Sequence, residues 1–187
     1  MIKPNNTNSI ANSDDPEPDS PVSRLTIDIS VNDTRWQPLV EGLRAHASFV
    51  WERLGLPDCE LSLVLDSDSA VQLLNRDYRD KDKPTNVLSF PAFDFAQPAT
   101  ADDFPPPPVL LGDIVMAYET LDREASAGGR RLADHSLHLL THGLLHLIGH
   151  DHEGELEATR MEHLEVELLG QCGIADPYQT NTQGDVS

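Results

Sequence analysis

The chain has 187 residues, enough for one domain with a hydrophobic core and too few for two of ordinary size. No apolar run approaches the roughly 18 residues that a membrane-spanning helix needs, so we expect no membrane association. The 32 acidic and 13 basic residues give a net charge of −19, which excludes a protein that binds nucleic acid over its whole surface. A nucleic-acid partner would require a local basic patch, a bound cation or an already assembled complex.

The first 22 residues are rich in Pro, Asn, Ser and Asp and show no hydrophobic periodicity, so we predict a disordered acidic tail at 1–22. This segment has neither the apolar stretch of a signal peptide nor the arginines of a mitochondrial transit peptide, and we therefore expect a cytoplasmic protein. The folded domain is predicted over 23–178, followed by a flexible C-terminal tail at 179–187.

Strands and helices are predicted along the domain without strict βαβ alternation. The strands are expected at 24–31, 59–66, 86–90 and 109–116, and the helices at 36–54, 68–79, 117–127, 132–148 and 155–169. Residues 92–108 contain four consecutive prolines and are predicted to form a loop. This pattern predicts a single α+β domain with one roughly four-stranded sheet and about five helices.

The stretch HGLLHLIGHDH holds four histidines within eleven positions. His142 and His146 are four residues apart on a predicted helix, so both imidazoles can bind one ion from the same helix face. Gly149 lets the chain leave the helix and turn back, because glycine tolerates positive φ. His150 and His152 compete as the third ligand. We favour His152, since Gly149 interrupts the helix that would align His150.

Three neutral imidazoles leave a divalent ion one open coordination position, which is typical of catalytic zinc sites. We therefore predict one Zn²⁺ per chain on a central helix, and no nucleotide cofactor. Zinc proteases have a glutamate after the first histidine, where this chain has Gly143. A metalloprotease-like zinc hydrolase is therefore the less favoured alternative, and phosphodiester cleavage suits the site better.

The other histidines are interpreted without a ligand role. His135 and His138 precede the pair on the same helix, and we expect hydrogen-bonded structural side chains there. His46 and His163 are predicted to be solvated surface residues.

The stretch YRDKDKPTNVLSFP is the second candidate site. Arg79 presents a planar fork that suits phosphate oxygens, and Lys81 and Lys83 can flank a nucleic-acid backbone. Thr85 and Asn86 stand at a strand start as further hydrogen-bonding groups for RNA. On charge alone, a solvated run balanced by the neighbouring aspartates is the better interpretation.

Taken in order, YRDKDKPTNVLSFP, LLGDIV and HGLLHLIGHDH, followed by a Glu-rich helix, resemble the YbeY family of bacterial metal-dependent endoribonucleases. The resemblance implies one zinc ion held by His142, His146 and His152, with His150 at a variable position of the motif. It also implies a functional role for Arg79, which reverses the interpretation from charge alone. The resemblance covers residues 24–178, whereas the acidic tail and the Pro-rich insert at 96–108 lie outside the family pattern.

The resemblance further implies a single-strand-directed endoribonuclease in rRNA processing, including maturation of the small-subunit rRNA 3′ end, and in ribosome quality control. The implied partners are ribosomal RNA and ribosomal particles or proteins. Arg79 would stabilise charge on the phosphoryl oxygens. The base stays open between metal-bound hydroxide itself and a route in which the RNA's own 2′-hydroxyl attacks in cis. A third hypothesis is a metal-stabilised ribosome assembly factor that acts mainly by binding, because a net charge of −19 suits basic ribosomal proteins.

Overall fold

The structure, a computed structural model, describes residues 24–92, 109–150 and 154–179. The predicted N-terminal tail, the Pro-rich insert and nearly all of the predicted C-terminal tail lie outside these residues. His152, the favoured third metal ligand, also lies outside them.

The described chain contains four strands and five α-helices, in agreement with the α+β prediction. In chain order they are β1 (Leu25–Val31), α1 (Val40–Leu54), β2 (Cys59–Asp66), α2 (Asp68–Arg79), β3 (Val87–Pro91), β4 (Val109–Ala117), α3 (Tyr118–Ala127), α4 (Leu132–Leu147) and α5 (Glu155–Gln171). The segment predicted as the start of α1 is instead a 3-10 helix, Thr34–Leu39, which contains Pro38. Proline lacks the N–H that a regular helix interior uses, which favours this change of helix type.

The four strands form one mixed sheet in the order β1-β2-β4-β3. Strands β1, β2 and β4 are parallel, as the helices between them allow, and β3 runs antiparallel to β4 at the edge. In this register Ser89 of β3 lies opposite Ile114 of β4. Both side chains therefore share one face of the sheet, the face that packs against α4.

The main hydrophobic core joins α1, α4 and α5 to one face of the sheet, and α2 covers part of the other face. Leu140, Leu144 and Leu147 of α4 are fully buried in the main core. These leucines lie on one side of α4. His142 and His146 therefore lie at the edge of the buried face of the helix, and both residues are only partly buried. No helix in the described part of the chain is both long enough and apolar enough to span a lipid bilayer.

Candidate metal centre

His142 and His146 bring two imidazole nitrogens together on α4. Their Nε2 atoms are 3.0 Å apart, and the ring planes are nearly perpendicular at 85°. The i, i+4 spacing on one helix therefore produces the converging pair that the sequence predicted.

The second nitrogen of each ring meets a hydrogen-bond acceptor. His142 Nδ1 donates to Glu165 Oε1 at 2.8 Å, and His146 Nδ1 donates to the His150 carbonyl at 2.9 Å. With the ring protons on Nδ1, both Nε2 atoms carry lone pairs and face each other at 3.0 Å. Two facing lone pairs repel unless a cation lies between them, so this donor set fits a divalent metal ion.

Glu165 is a fully buried carboxylate on α5. Burial by itself would raise the pKa of this carboxyl group, but hydrogen bonds from His138, His142 and Tyr178 outweigh it and lower the pKa to about 2. The carboxylate is therefore ionised at neutral pH, and its negative charge lies beside the His142 ring. A carboxylate in this position orients a metal-binding imidazole and increases its basicity.

The chain turns sharply after α4 at Gly149, whose φ of 89° is accessible to few other residues. The His150 N–H donates to the Leu145 carbonyl at 3.0 Å, and the His150 carbonyl holds the His146 ring. His150 thus contributes its main chain to the centre. Among residues 24–92, 109–150 and 154–179, no three His, Cys, Asp or Glu side chains are grouped to hold a metal ion. The prediction that His152 is the third ligand stays a prediction.

Gly143 lies where α4 comes closest to the sheet. A Cβ atom at this position would be 3.1 Å from Ile114 Cδ1 and 3.1 Å from Ser89 Oγ. The Ser89 hydroxyl donates to the Gly143 carbonyl at 3.3 Å, which ties β3 to the helix. Position 143 therefore faces the sheet, and the space next to it is too small for the glutamate of the zinc-protease motif.

The hydrogen bond between Ser89 and Gly143 connects the motif YRDKDKPTNVLSFP with the motif HGLLHLIGHDH. Arg79 is the last residue of α2, and the chain continues through a turn into β3 and reaches α4 at Ser89. Asp80 caps α2 in the left-handed conformation with φ of 56°, and Asn75 donates through its side chain to the Lys83 carbonyl at 2.8 Å. These contacts fix the backbone of the turn.

The side chains of this turn, which we call the basic corner, are Arg79, Lys81 and Lys83. All three are exposed, and within the described part of the chain none makes a side-chain hydrogen bond or ion pair. Thr85 and Asn86 are partly buried. The Asn86 amide donates to Glu124 Oε2 at 3.0 Å, so this side chain is already engaged inside the protein. RNA contacts by these residues stay predictions.

The remaining histidines occupy two different environments. His135 and His138 are buried, and their Nε2 atoms lie 3.0 Å from carboxylate oxygens of Glu124 and Glu165 respectively, as a structural role requires. His163 is exposed, as predicted.

The prediction that His46 is solvated is wrong. Its residue surface is only 5% exposed, because position 46 belongs to the face of α1 that packs against α4. His46 Nε2 lies 2.8 Å from Thr141 Oγ1, and Cys172 Sγ lies 3.6 Å from its Nδ1. Burial lowers the pKa of His46 to about 4.

Glu165 and Tyr178 were missed by the sequence reasoning. The signal for Glu165 was present, because it lies between Met161 and Leu168 on the apolar stripe of α5, where a carboxylate needs a specific partner. Tyr178 gave no comparable signal, since its contact with Glu165 depends on how the chain folds back after α5.

Comparison with known proteins identifies relatives over most of the chain. A family model described as Endoribonuclease YbeY matches residues 26–173. A protein named Endoribonuclease YbeY from Rhodospirillum rubrum is 58% identical over 119 residues, which are 64% of this chain and 58% of that relative. A protein of the same name from Ruegeria pomeroyi is 44% identical over 162 residues, which cover 82% of this chain and 98% of the relative.

A solved structure shares the fold. The solution structure of TM1509 from Thermotoga maritima aligns with 83% of this chain and 99% of its own, with a TM-score of 0.51 and 21% sequence identity. At this level of identity the likeness concerns the fold alone. The arrangement of one four-stranded mixed sheet with its helices is therefore shared beyond the close sequence relatives.

Proposed function

The chain belongs to the YbeY family, and we propose that it is a metal-dependent endoribonuclease that acts in the maturation of ribosomal RNA. The observation that carries the proposal is the pair of imidazole Nε2 atoms facing each other at 3.0 Å, each with a lone pair directed at the other. Such a pair is suited to a divalent cation, and the exposed arginine and lysines near the following strand are suited to a phosphate backbone.

The metal proposed is a single zinc ion held by His142, His146 and His152. Imidazole nitrogen suits zinc, although geometry and availability decide between divalent metals of similar affinity. Gly149 ends α4 in a turn with positive φ, which supports a third ligand from the residues that follow. When bound there, an ion of this kind would supply an activated water molecule and would polarise a phosphoryl oxygen.

Arg79 is proposed to act on the scissile phosphate. Its guanidinium can donate two parallel hydrogen bonds to phosphoryl oxygens and so stabilise the charge that develops there, an effect worth about 3 kcal/mol in a preorganised site. Gly143 provides no side chain that could accept a proton. The attacking group is therefore open between a water molecule and the RNA 2′-hydroxyl. The products distinguish them, because attack by the 2′-hydroxyl expels the 5′-oxygen of the next nucleotide and leaves a cyclic phosphate.

The same glycine argues against a metalloprotease. Peptide hydrolysis requires protonation of a poor amine leaving group, usually by the glutamate of the H-E-x-x-H motif. Position 143 faces Ser89 and Ile114 of the sheet, so a longer side chain there would be directed away from the imidazole pair.

The proposed substrate is precursor small-subunit rRNA, cleaved near its 3′ end within ribosomal particles. A net charge of −19 repels free RNA and makes its binding weak and strongly dependent on salt. Ribosomal proteins, which are generally basic, would offset this repulsion in an assembled particle. We therefore propose a cytoplasmic enzyme that cleaves particle-bound RNA more efficiently than naked RNA.

The test is a cleavage assay on precursor small-subunit rRNA, naked and in ribosomal particles, with metal content measured for each preparation. Wild type is compared with Arg79→Ala and His146→Ala. We expect both variants to lose cleavage, with metal retained in Arg79→Ala and lost in His146→Ala. Equal cleavage by all three proteins would indicate a contaminating nuclease. Particle binding retained by all three without any cleavage would instead favour an assembly factor that acts by binding.

A further inference from the structure

The buried Glu165 carboxylate accepts hydrogen bonds from three side chains. Oε1 accepts from His142 Nδ1 at 2.8 Å, and Oε2 accepts from His138 Nε2 at 3.0 Å and from the Tyr178 hydroxyl. The carboxylate therefore has a partner on each oxygen, which a buried ion requires. Of the three partners, only His142 belongs to the candidate metal centre.

These contacts determine which nitrogen of each ring carries the proton. His138 Nδ1 is buried and has no hydrogen-bond partner among the described residues, so a proton there would be unsatisfied and His138 donates through Nε2. His142 donates through Nδ1, which leaves the lone pair on its Nε2. Glu165 thus selects the His142 tautomer that directs a lone pair at His146, whose Nε2 lies 3.0 Å away.

Tyr178 reaches Glu165 from the segment that follows α5. This segment folds back onto the start of α4, where the Arg130 guanidinium donates to the Pro177 carbonyl and the Tyr178 ring meets His138 edge-on, with centroids 5.7 Å apart. A cavity of about 610 Å³ lies beside this contact, and both Tyr178 and His138 line it. Glu165 does not line this cavity and is fully buried, and the Tyr178 hydroxyl is one of the two donors that hold its Oε2 atom.

We propose that Tyr178 is a positioning residue of the metal centre, which acts through Glu165 to hold His142 in the tautomer and orientation that bind the ion. The inference rests on the metal centre of the proposed function. It assigns the segment after α5 a role in metal affinity that is transmitted through Glu165.

The test is the zinc affinity of Tyr178→Phe, measured by competition with a chromophoric chelator at constant pH. Tyr118→Phe is the matched control, because the Tyr118 ring packs against Trp36 and lies 4.4 Å from the Arg35 guanidinium carbon, away from Glu165. We expect Tyr178→Phe to weaken zinc binding by roughly tenfold or more, the effect typical of groups that orient metal ligands, and Tyr118→Phe to leave it unchanged. Glu165→Gln should weaken binding further, but loss of a buried carboxylate can also prevent folding.

A second measurement separates positioning from a general structural role. The nitrogen chemical shifts of the His142 ring in metal-free protein report its tautomer. We expect the proton on Nδ1 in wild type and in Tyr118→Phe, and a mixture of tautomers in Tyr178→Phe, whose urea midpoint should match that of wild type. Unchanged zinc affinity together with an unchanged His142 tautomer in a folded Tyr178→Phe would overturn the inference. If wild type itself binds no zinc, the proposed metal centre fails, and the tautomer measurement alone decides whether Tyr178 positions His142.

Discussion

The imidazole pair and the basic corner are held in different ways. His142 and His146 have their second nitrogens fixed by a buried carboxylate and a main-chain carbonyl, at 2.8 and 2.9 Å. The basic corner has a fixed backbone, but its three cationic side chains extend into solvent. The candidate metal centre is thus ordered when the protein folds, whereas the side chains of the basic corner would become ordered only on contact with the proposed RNA substrate.

This difference indicates where substitutions should act. Changes around α4 should alter stability or metal affinity, because those groups are part of the core. Substitutions in the basic corner should alter RNA binding or cleavage and leave folding intact. Substitutions of exposed side chains usually change the free energy of unfolding by less than about 0.5 kcal/mol. The following predictions test this division, from the largest expected effect to the smallest.

Gly143→Glu should lower the free energy of unfolding by more than about 3 kcal/mol, or prevent folding. The new side chain would meet Ser89 and Ile114 at 3.1 Å and would bury a carboxylate without partners. Urea denaturation measures the loss. Gly42→Ala in α1 is the control, because a Cβ atom there meets nothing within 4 Å, and it should raise stability by about 0.5–1 kcal/mol. A Gly143→Glu protein as stable as wild type would contradict the close approach of helix and sheet.

Arg79→Ala should reduce the cleavage rate by about 100-fold or more, which corresponds to losing roughly 3 kcal/mol of transition-state stabilisation. Arg79→Lys should recover only part of this rate, because an ammonium group lacks the planar fork. Single-turnover kinetics on saturating substrate measures the effect, and urea unfolding of the same proteins should show no change. A large loss of stability in either variant would contradict this division, because it would mean that the Arg79 side chain stabilises the fold.

Acidification should lower the free energy of unfolding, because it protonates the buried His46 side chain between α1 and α4. Its pKa is lowered from 6.5 to about 4 by burial, so the native state binds fewer protons than the unfolded state over this range. The His46 contribution to stability is therefore complete above about pH 6.5 and falls as the pH drops towards 4, by about 3 kcal/mol in total. His46→Gln should remove this part of the pH dependence in urea titrations. His163→Gln, at an exposed position, should retain the wild-type slope.

Lys81→Ala and Lys83→Ala should each weaken RNA binding modestly and without sequence preference. Each lost phosphate contact should lower the slope of log binding constant against log salt by about 0.7 for a single strand. Titrations of a short single-stranded RNA at several salt concentrations measure the slope. Arg53→Ala, which removes an exposed charge from the end of α1, is the control. If all variants show the same salt dependence of the binding constant, the two lysines do not contact the RNA backbone.

The sequence predicted the parts of the molecule that depend on local patterns. Periodicity located the four strands and five helices, and the i, i+4 spacing with Gly149 located the imidazole pair and the turn after it. The burial of His46 and the partners of Glu165, which were missed, depend on contacts between residues far apart in the chain. His46 is buried because α1 packs on α4, and Glu165, which meets His142, lies 23 positions after it in the sequence. The spacing of residues along the sequence does not show which distant residues form such contacts.

The order of the chain gives the Glu165 contact a consequence for biosynthesis. A growing polypeptide emerges from the ribosome N-terminus first, so α4 appears before α5 and before Tyr178. The His142 ring can be fixed only when those later segments have folded back onto α4. An enzyme whose proposed substrate is the ribosome's own RNA would therefore complete its reactive centre late in its own translation.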